Sequence, residues 1–374
     1  MIERGCATFG LDYGKCPPWL FQRMVKLSSI MLDIIVEEFG PDYFVKNISD
    51  PVWFQSLGTV LAFDWNSSGL TTILTAALKQ AIKGKEKDLG IFICGGKGKT
   101  SKKVPGEIMN WGDILGLPQP TVESFVYNSK MAAKVDSALI QDGYQIYHHT
   151  FIFSKNGVWS VIQQGMNIKN LSARRYHWYS KKFTDLINEP HSGIISQYKF
   201  PSVLNLTSQA SSLNREISTQ LTQQNISSLM KDIKLLRKHL TPLSKVAEIE
   251  LNGQQRLKFL ELKNTEFKFH PVIEEKFLFN KYLDKILWNL CEIKPNSYEK
   301  LLSLQGVGPK TIRALSLVAE IIYGAKPSYL DPARYSFAHG GKDATPYPVD
   351  ITTYDQTVNF LKSLLLKRKQ KHSI

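Results

Sequence analysis

Two runs rich in aromatic and β-branched residues, Tyr144–Ser154 and Val158–Gln164, flank the dipeptide Asn156-Gly157. No other feature constrains the fold as strongly. Such runs favour pleated strands, and Asn-Gly tolerates the positive φ that a tight hairpin turn demands. The chain must therefore build an antiparallel sheet. Helical periodicity surrounds this hairpin. Trp19–Phe39 carries apolar residues at Leu20, Met24, Leu27, Met31, Ile34 and Ile35 and stops at Gly40-Pro41. Helices are also expected over Leu70–Ile82 and Met131–Ile140, and a short buried strand over Leu89–Cys94.

The texture changes near residue 200. Residues 202–229 are rich in Ser, Gln, Asn and Thr and hold no aromatic residue, which predicts a boundary or a weakly packed helical connector. Helical periodicity then dominates over Ile226–Leu240, Ile273–Cys291, Ser297–Leu304, Lys310–Tyr323 and Ile351–Leu366, ahead of a basic tail. The expected class is α+β: a mixed α/β domain over 1–200 with the β-hairpin, then an all-α domain over 201–374. The 374 residues leave ample chain for two cores.

Charge and cysteines narrow the function classes. Lys and Arg total 47 against 33 acids, a net charge of +14, with the larger share of the excess after residue 200. A basic chain attracts polyanions, of which nucleic acid is the commonest in a cell. The four cysteines form no CxxC pair, which argues against a disulfide framework or zinc finger and for a reducing, cytoplasmic setting. No apolar run approaches the roughly 18–20 residues of a membrane span, and Met1–Gly5 lacks a signal-peptide layout.

The string Leu301-Leu302-Ser303-Leu304-Gln305-Gly306-Val307-Gly308-Pro309-Lys310-Thr311 resembles a helix-hairpin-helix element, placed at about 297–324. Gly306 and Gly308 permit unusual backbone angles and close phosphate approach. Val307 would plug the gap between the helices, and Pro309 suits a first helical turn. The second helix would offer free N–H groups to a phosphate, with Thr311 beside them and Lys310 and Arg313 adding charge. DNA is the expected partner. In the helix-hairpin-helix DNA glycosylases, a Lys after the hairpin glycines is the nucleophile of bifunctional members, and an Asp opening a later helix is catalytic. The resemblance implies those roles for Lys310 and for Asp350, which follows Val349. A neutral lysine amine could form a Schiff base with the sugar, and an ionised Asp could stabilise positive charge on it. The intervening His339-Gly340-Gly341-Lys342-Asp343, absent from those enzymes, would place His339 and Asp343 as base-pocket residues. No cofactor is expected.

Phe63–Leu70, Cys94–Ser101, Gln141–Gln145, Tyr147-His148-His149, Gln163–Asn167 and Arg174-Arg175-Tyr176-His177-Trp178 together resemble the prokaryotic domain-of-unknown-function family 763, over almost the whole chain. The family is defined by sequence and implies no reaction. Gly95–Ser101 ends in Gly-Lys-Thr, but Ile93 stands where a Walker loop needs Gly. A basic loop touching an anion through Lys97 and Lys99 fits better. Arg174 and Arg175, interleaved with aromatics, suit phosphate contact and base stacking. One alternative is a metal-dependent nuclease site built from Asp136, Asp142, His148 and Gln163. Another is a non-enzymatic nucleic-acid-binding protein.

Overall fold

The structure is a computed structural model that describes residues 16–63, 67–239, 247–251, 254–258, 281–334 and parts of 351–363. Its elements run α1 (Pro18–Phe39), α2 (Pro41–Ile48), α3 (Pro51–Val60), α4 (Ser67–Ala81), α5 (Glu86–Leu89) and β1 (Ile91–Lys97). A 3-10 turn, Gly98–Lys103, leads into α6 (Val104–Leu115) and α7 (Gln119–Ala138). Then follow β2 (Ile140–Gln141), β3 (Gln145–Ser154), β4 (Trp159–Asn167), β5 (Ser172–Tyr179), β6 (His191–Ser196) and β7 (Leu204–Asn205). The later elements are α8 (Ser212–Gln223), α9 (Ile226–His239), β8 (Ala247–Leu251), β9 (Gln254–Lys258), α10 (Lys281–Ile293), α11 (Tyr298–Ser303) and α12 (Pro309–Ile321). The protein is thus of mixed α+β class. No described helix is long and apolar enough to cross a membrane.

The sheet has five antiparallel strands in the order β1-β3-β4-β5-β6. Its hairpin closes through a three-residue loop, with Gly157 N–H donating to Ser154 O at 3.0 Å and Gly157 at φ +86°. Helices cover both faces. Ile91, Ile93, Ile152 and Ile162 pack with Met24, Phe44, Phe54 and Leu74 of α1–α4. Phe92, Phe151, Phe153, Val161 and Trp178 pack with Phe125, Ala132 and Val135 of α7. Cover on both faces explains why β3, β4 and β5 are buried nearly throughout, polar residues included, rather than at every second position.

The second apolar cluster continues through Leu221 of α8 and Leu287 of α10 to Leu301, Leu315 and Val318 of α11 and α12, with no break in packing near residue 200. The expected weak connector is in fact core. In α8, Asn214, Ser218 and Thr222 are fully buried, and Asn214 Nδ2 donates to Ser316 O and Ala325 O at 3.0 and 2.7 Å. Its polar composition hid this, because internal hydrogen bonds replace water. α7 begins twelve residues before the expected Met131 start, at Gln119. Its first half lacks a strong apolar stripe and was invisible to periodicity. A bulge between Ile146 and His148 changes the alternation of β3. Ile146 packs with Tyr176 and Ile194, whereas His148 and Thr150 turn to α4. The C-terminal helical residues return to the α1–α4 layer. Arg23 meets Asp355 at 2.9 Å, and the Tyr354 hydroxyl lies 3.5 Å from Leu61 O.

Candidate nucleic-acid interface

Ser297 starts α11 by accepting from Lys300 N at 3.1 Å, and Leu301 and Leu302 anchor the helix with no exposed surface. The chain then turns through Leu304–Gly308 into α12. Val307 is buried between the helices. Two contacts from α7 and β2 fix this unit. Lys134 Nζ donates to Leu302 O and Leu304 O at 2.7 and 2.6 Å, capping the carbonyl end of α11, and burial lowers its amine pKa. Gln141 Nε2 donates to Pro309 O at 3.0 Å, and Arg313 Nε donates to Gln141 Oε1.

The two turn glycines differ. Gly306 sits at φ +83°, and a Cβ there would lie 2.4 Å from Ile286 Cδ1 on α10. Gly308 has extended φ and ψ of −146° and −170°, and a Cβ there would meet nothing within 4 Å. The fold demands the first glycine and not the second. Beyond Gly308, Pro309 and Lys310 are exposed at the first turn of α12.

Other expected contacts are corrected. Thr311 and Arg313 are buried, at 3% and 8% exposure, and Arg313 serves the Gln141 bridge. Arg174 and Arg175 have no exposed surface. Arg174 forks onto Asp331 at 2.9 and 2.8 Å, meets Asp142 at 3.0 Å, and lies 4.8 Å over the Tyr144 ring. Arg175 turns to the other face, 4.3 Å from the Phe54 ring centroid, and donates to Gln55 Oε1 at 3.1 Å and Thr71 Oγ1 at 3.2 Å. Burial lowers its pKa to about 9. Central strand position explains both: β5 has a strand on each side, α3 and α4 over Arg175, and the segments around Asp142, Tyr198 and Asp331 over Arg174. Lys97 and Lys99 are exposed, but the expected loop is ordered structure: Lys97 ends β1, with its Nζ 6.0 Å from the Tyr147 ring, and Lys99 lies in the 3-10 turn that follows. A shallow groove of about 440 Å³ nearby is lined by Lys102, Lys103, Gly106, Glu107, Asn110 and Trp111.

Of the four nuclease candidates, Asp136 and Gln163 meet, while His148 and Asp142 lie apart from them. Asp136 accepts from Gln163 Nε2 at 2.5 Å and Trp178 Nε1 at 3.1 Å, and meets His191 Nε2 at 2.5 Å. Gln163 leads on to His149 Nδ1 at 2.9 Å, and His149 Nε2 to Ser129 Oγ at 2.8 Å. His148 lies on the opposite face, 3.2 Å from Thr75 Oγ1, and Asp142 belongs to Arg174 and Tyr176. Burial drives the His148 pKa down to about 3 and lowers that of His149, so both rings are neutral at pH 7. Among the described residues no group of three or more His, Cys, Asp or Glu could hold a metal ion. Asp350, His339 and Asp343 lie outside the described residues.

Sequence reasoning missed Lys134, Gln141 and Asp331, whose roles depend on contacts between distant segments. No curated protein and no solved structure matches the chain. One family model, described as protein of unknown function DUF763, matches residues 5–349, and the chain belongs to that family.

Proposed function

We propose that the protein binds DNA through the turn between α11 and α12, a helix-hairpin-helix element that grips the phosphate backbone as DNA-repair proteins do. Gly308 carries this reading. It is a glycine that neither backbone angle nor packing requires, placed at an exposed helix start beside Lys310. A missing side chain there lets a phosphate reach the N–H groups of the first turn. Net charge of +14 supports the same partner. The exposure of Lys310 favours phosphate contact, because a Schiff-base amine is made neutral by burial.

Gly308→Val should leave the unfolding midpoint unchanged and weaken duplex binding at least tenfold for any sequence, since no base contact is altered. Lys310→Ala should lower the slope of log affinity against log salt by about one phosphate. Anisotropy titrations at fixed and varied salt read both effects. Unchanged affinity in both variants would refute the assignment. Borohydride trapping on abasic duplex tests the glycosylase/lyase extension: a covalent adduct lost in Lys310→Arg would assign the nucleophile, and no adduct would leave a binding hairpin.

A further inference from the structure

The two ends of the five-stranded sheet carry different charge. Because neighbouring strands run antiparallel, one end gathers the ends of β1, β4 and β6 and the starts of β3 and β5. The register fixes this: Lys97 lies opposite His148, Gln145 opposite Met166, Asn167 opposite Ser172 and Arg174 opposite Ser196. The segments at this end, residues 97–103, 142–147, 166–172 and 196–203, expose Lys97, Lys99, Lys102, Lys103, Lys169 and Lys199. Their one acid, Asp142, is buried on Arg174. The opposite end, residues 87–90, 155–158 and 180–190, mixes signs and exposes Asp88, Asp185 and Glu189 among its lysines. Four strand spacings set the end of β1 about 19 Å from the end of β6. The hairpin turn adjoins the lysine-bearing end. Gln141, which donates to Pro309 O at 3.0 Å and accepts from Arg313, directly precedes the connection into β3. Asp331, beyond α12, accepts from Arg174 at 2.8 Å and from Phe200 N at 2.7 Å, the latter in the segment that carries Lys199.

We infer that this end of the sheet is a second contact surface for the duplex held by the hairpin, with its lysines meeting phosphates further along the same backbone. The inference rests on the proposed hairpin–DNA contact and extends its footprint. Charge and continuity select the occupant. A solvated surface needs no separation of signs, as the opposite end shows, whereas a polyanion requires cations without competing acids. An acidic protein would match the charge but not the continuity with a phosphate-gripping turn. Duplex DNA carries one phosphate charge per roughly 1.7 Å of axis, so a span of about 19 Å faces more phosphates than the six lysines can use. The β4–β5 turn adds Ile168 and Leu171, 70% and 56% exposed on either side of Lys169-Asn170. Aliphatic side chains beside cations suit sugars and base steps in a minor groove.

The test uses the full chain and a fluorescein-labelled duplex, titrated by anisotropy over a salt series. The wild type is compared with Gly308→Val, with the sheet-end pair Lys99→Ala and Lys199→Ala combined, and with the opposite-end pair Lys87→Ala and Lys181→Ala combined. All four lysines are exposed, so both double variants keep the unfolding midpoint of the wild type, checked by urea titration. The sheet-end pair should lower the slope of log affinity against log salt by about two, one phosphate for each lysine, and the opposite-end pair by less than about 0.5. Adding Lys310→Ala to the sheet-end pair should bring the loss to about three. Equal slopes in the two double variants overturn the surface and leave the hairpin. A slope lost in the sheet-end pair, with affinity unchanged in Gly308→Val and Lys310→Ala, overturns the shared duplex and the hairpin reading with it. A wild type with no affinity for the duplex removes both.

Discussion

Gly306 and Gly308 are two residues apart and answer to different demands. Gly306 combines positive φ with a close approach by Ile286, so any side chain meets both backbone strain and a clash. Gly306→Ala should therefore cost about 1–3 kcal/mol in urea unfolding. An alanine at Gly308, in extended backbone with open space around it, should change stability by less than about 0.5 kcal/mol. One residue type thus serves the fold at the first position and the proposed ligand at the second. The string Gly-Val-Gly was legible in the sequence, but the division of labour needed the position of α10.

At the scale of elements, α7 ties the turn between α11 and α12 to the sheet. Its inner face packs on the sheet through Val135 and, by way of Asp136, on β4 and β5. Lys134 on the same helix reaches across to end α11. Charged donors to carbonyls contribute more than neutral ones, so Lys134→Met should cost about 1–2 kcal/mol. It should also loosen the turn, visible as faster hydrogen exchange at Val307 N–H, which donates to Leu304 O at 3.3 Å. Periodicity located α11 and α12 closely because each has an apolar stripe and a clear stop. It shortened α7 because that helix is buried by contacts on several sides and has no single stripe.

Across the whole molecule, stability depends on polar groups sealed between layers. Arg174 joins β5 to Asp142 before β3 and to Asp331 beyond α12. Arg174→Leu leaves two buried carboxylates without their cation and should cost about 3–5 kcal/mol in denaturant unfolding. The buried histidines set the pH response. His148, His149 and His177 have pKa values lowered by burial, His148 from 6.5 to about 3. Unfolded chains bind these protons near pH 6.5 and the folded chain does not, so stability is full above pH 6.5 and falls as pH drops towards 3. The Asp142 carboxyl, raised by burial, opposes this only where it protonates ahead of the unfolded chain. Urea midpoints should fall between pH 7.5 and 5, and His148→Gln should flatten that slope by about 1 kcal/mol per pH unit.

The sequence by itself determined the hairpin, the helix–turn–helix string near residue 306 and the basic charge, because each rests on local turn chemistry, periodicity or composition. It also determined that His148 and His149 face opposite sides, since strand geometry requires it. Only the tertiary structure decided which cations meet solvent. Arg174-Arg175 and Lys97-Gly98-Lys99 look alike as basic strings, yet the arginines fall on a central strand covered on both faces and the lysines at the end of the edge strand β1 and in the 3-10 turn after it. Whether Asp136 meets Gln163 or His148 was equally open in the sequence, because the answer depends on which helix covers which face of the sheet. Side-chain chemistry is written residue by residue, but exposure belongs to the packed layers, and no local pattern encodes it.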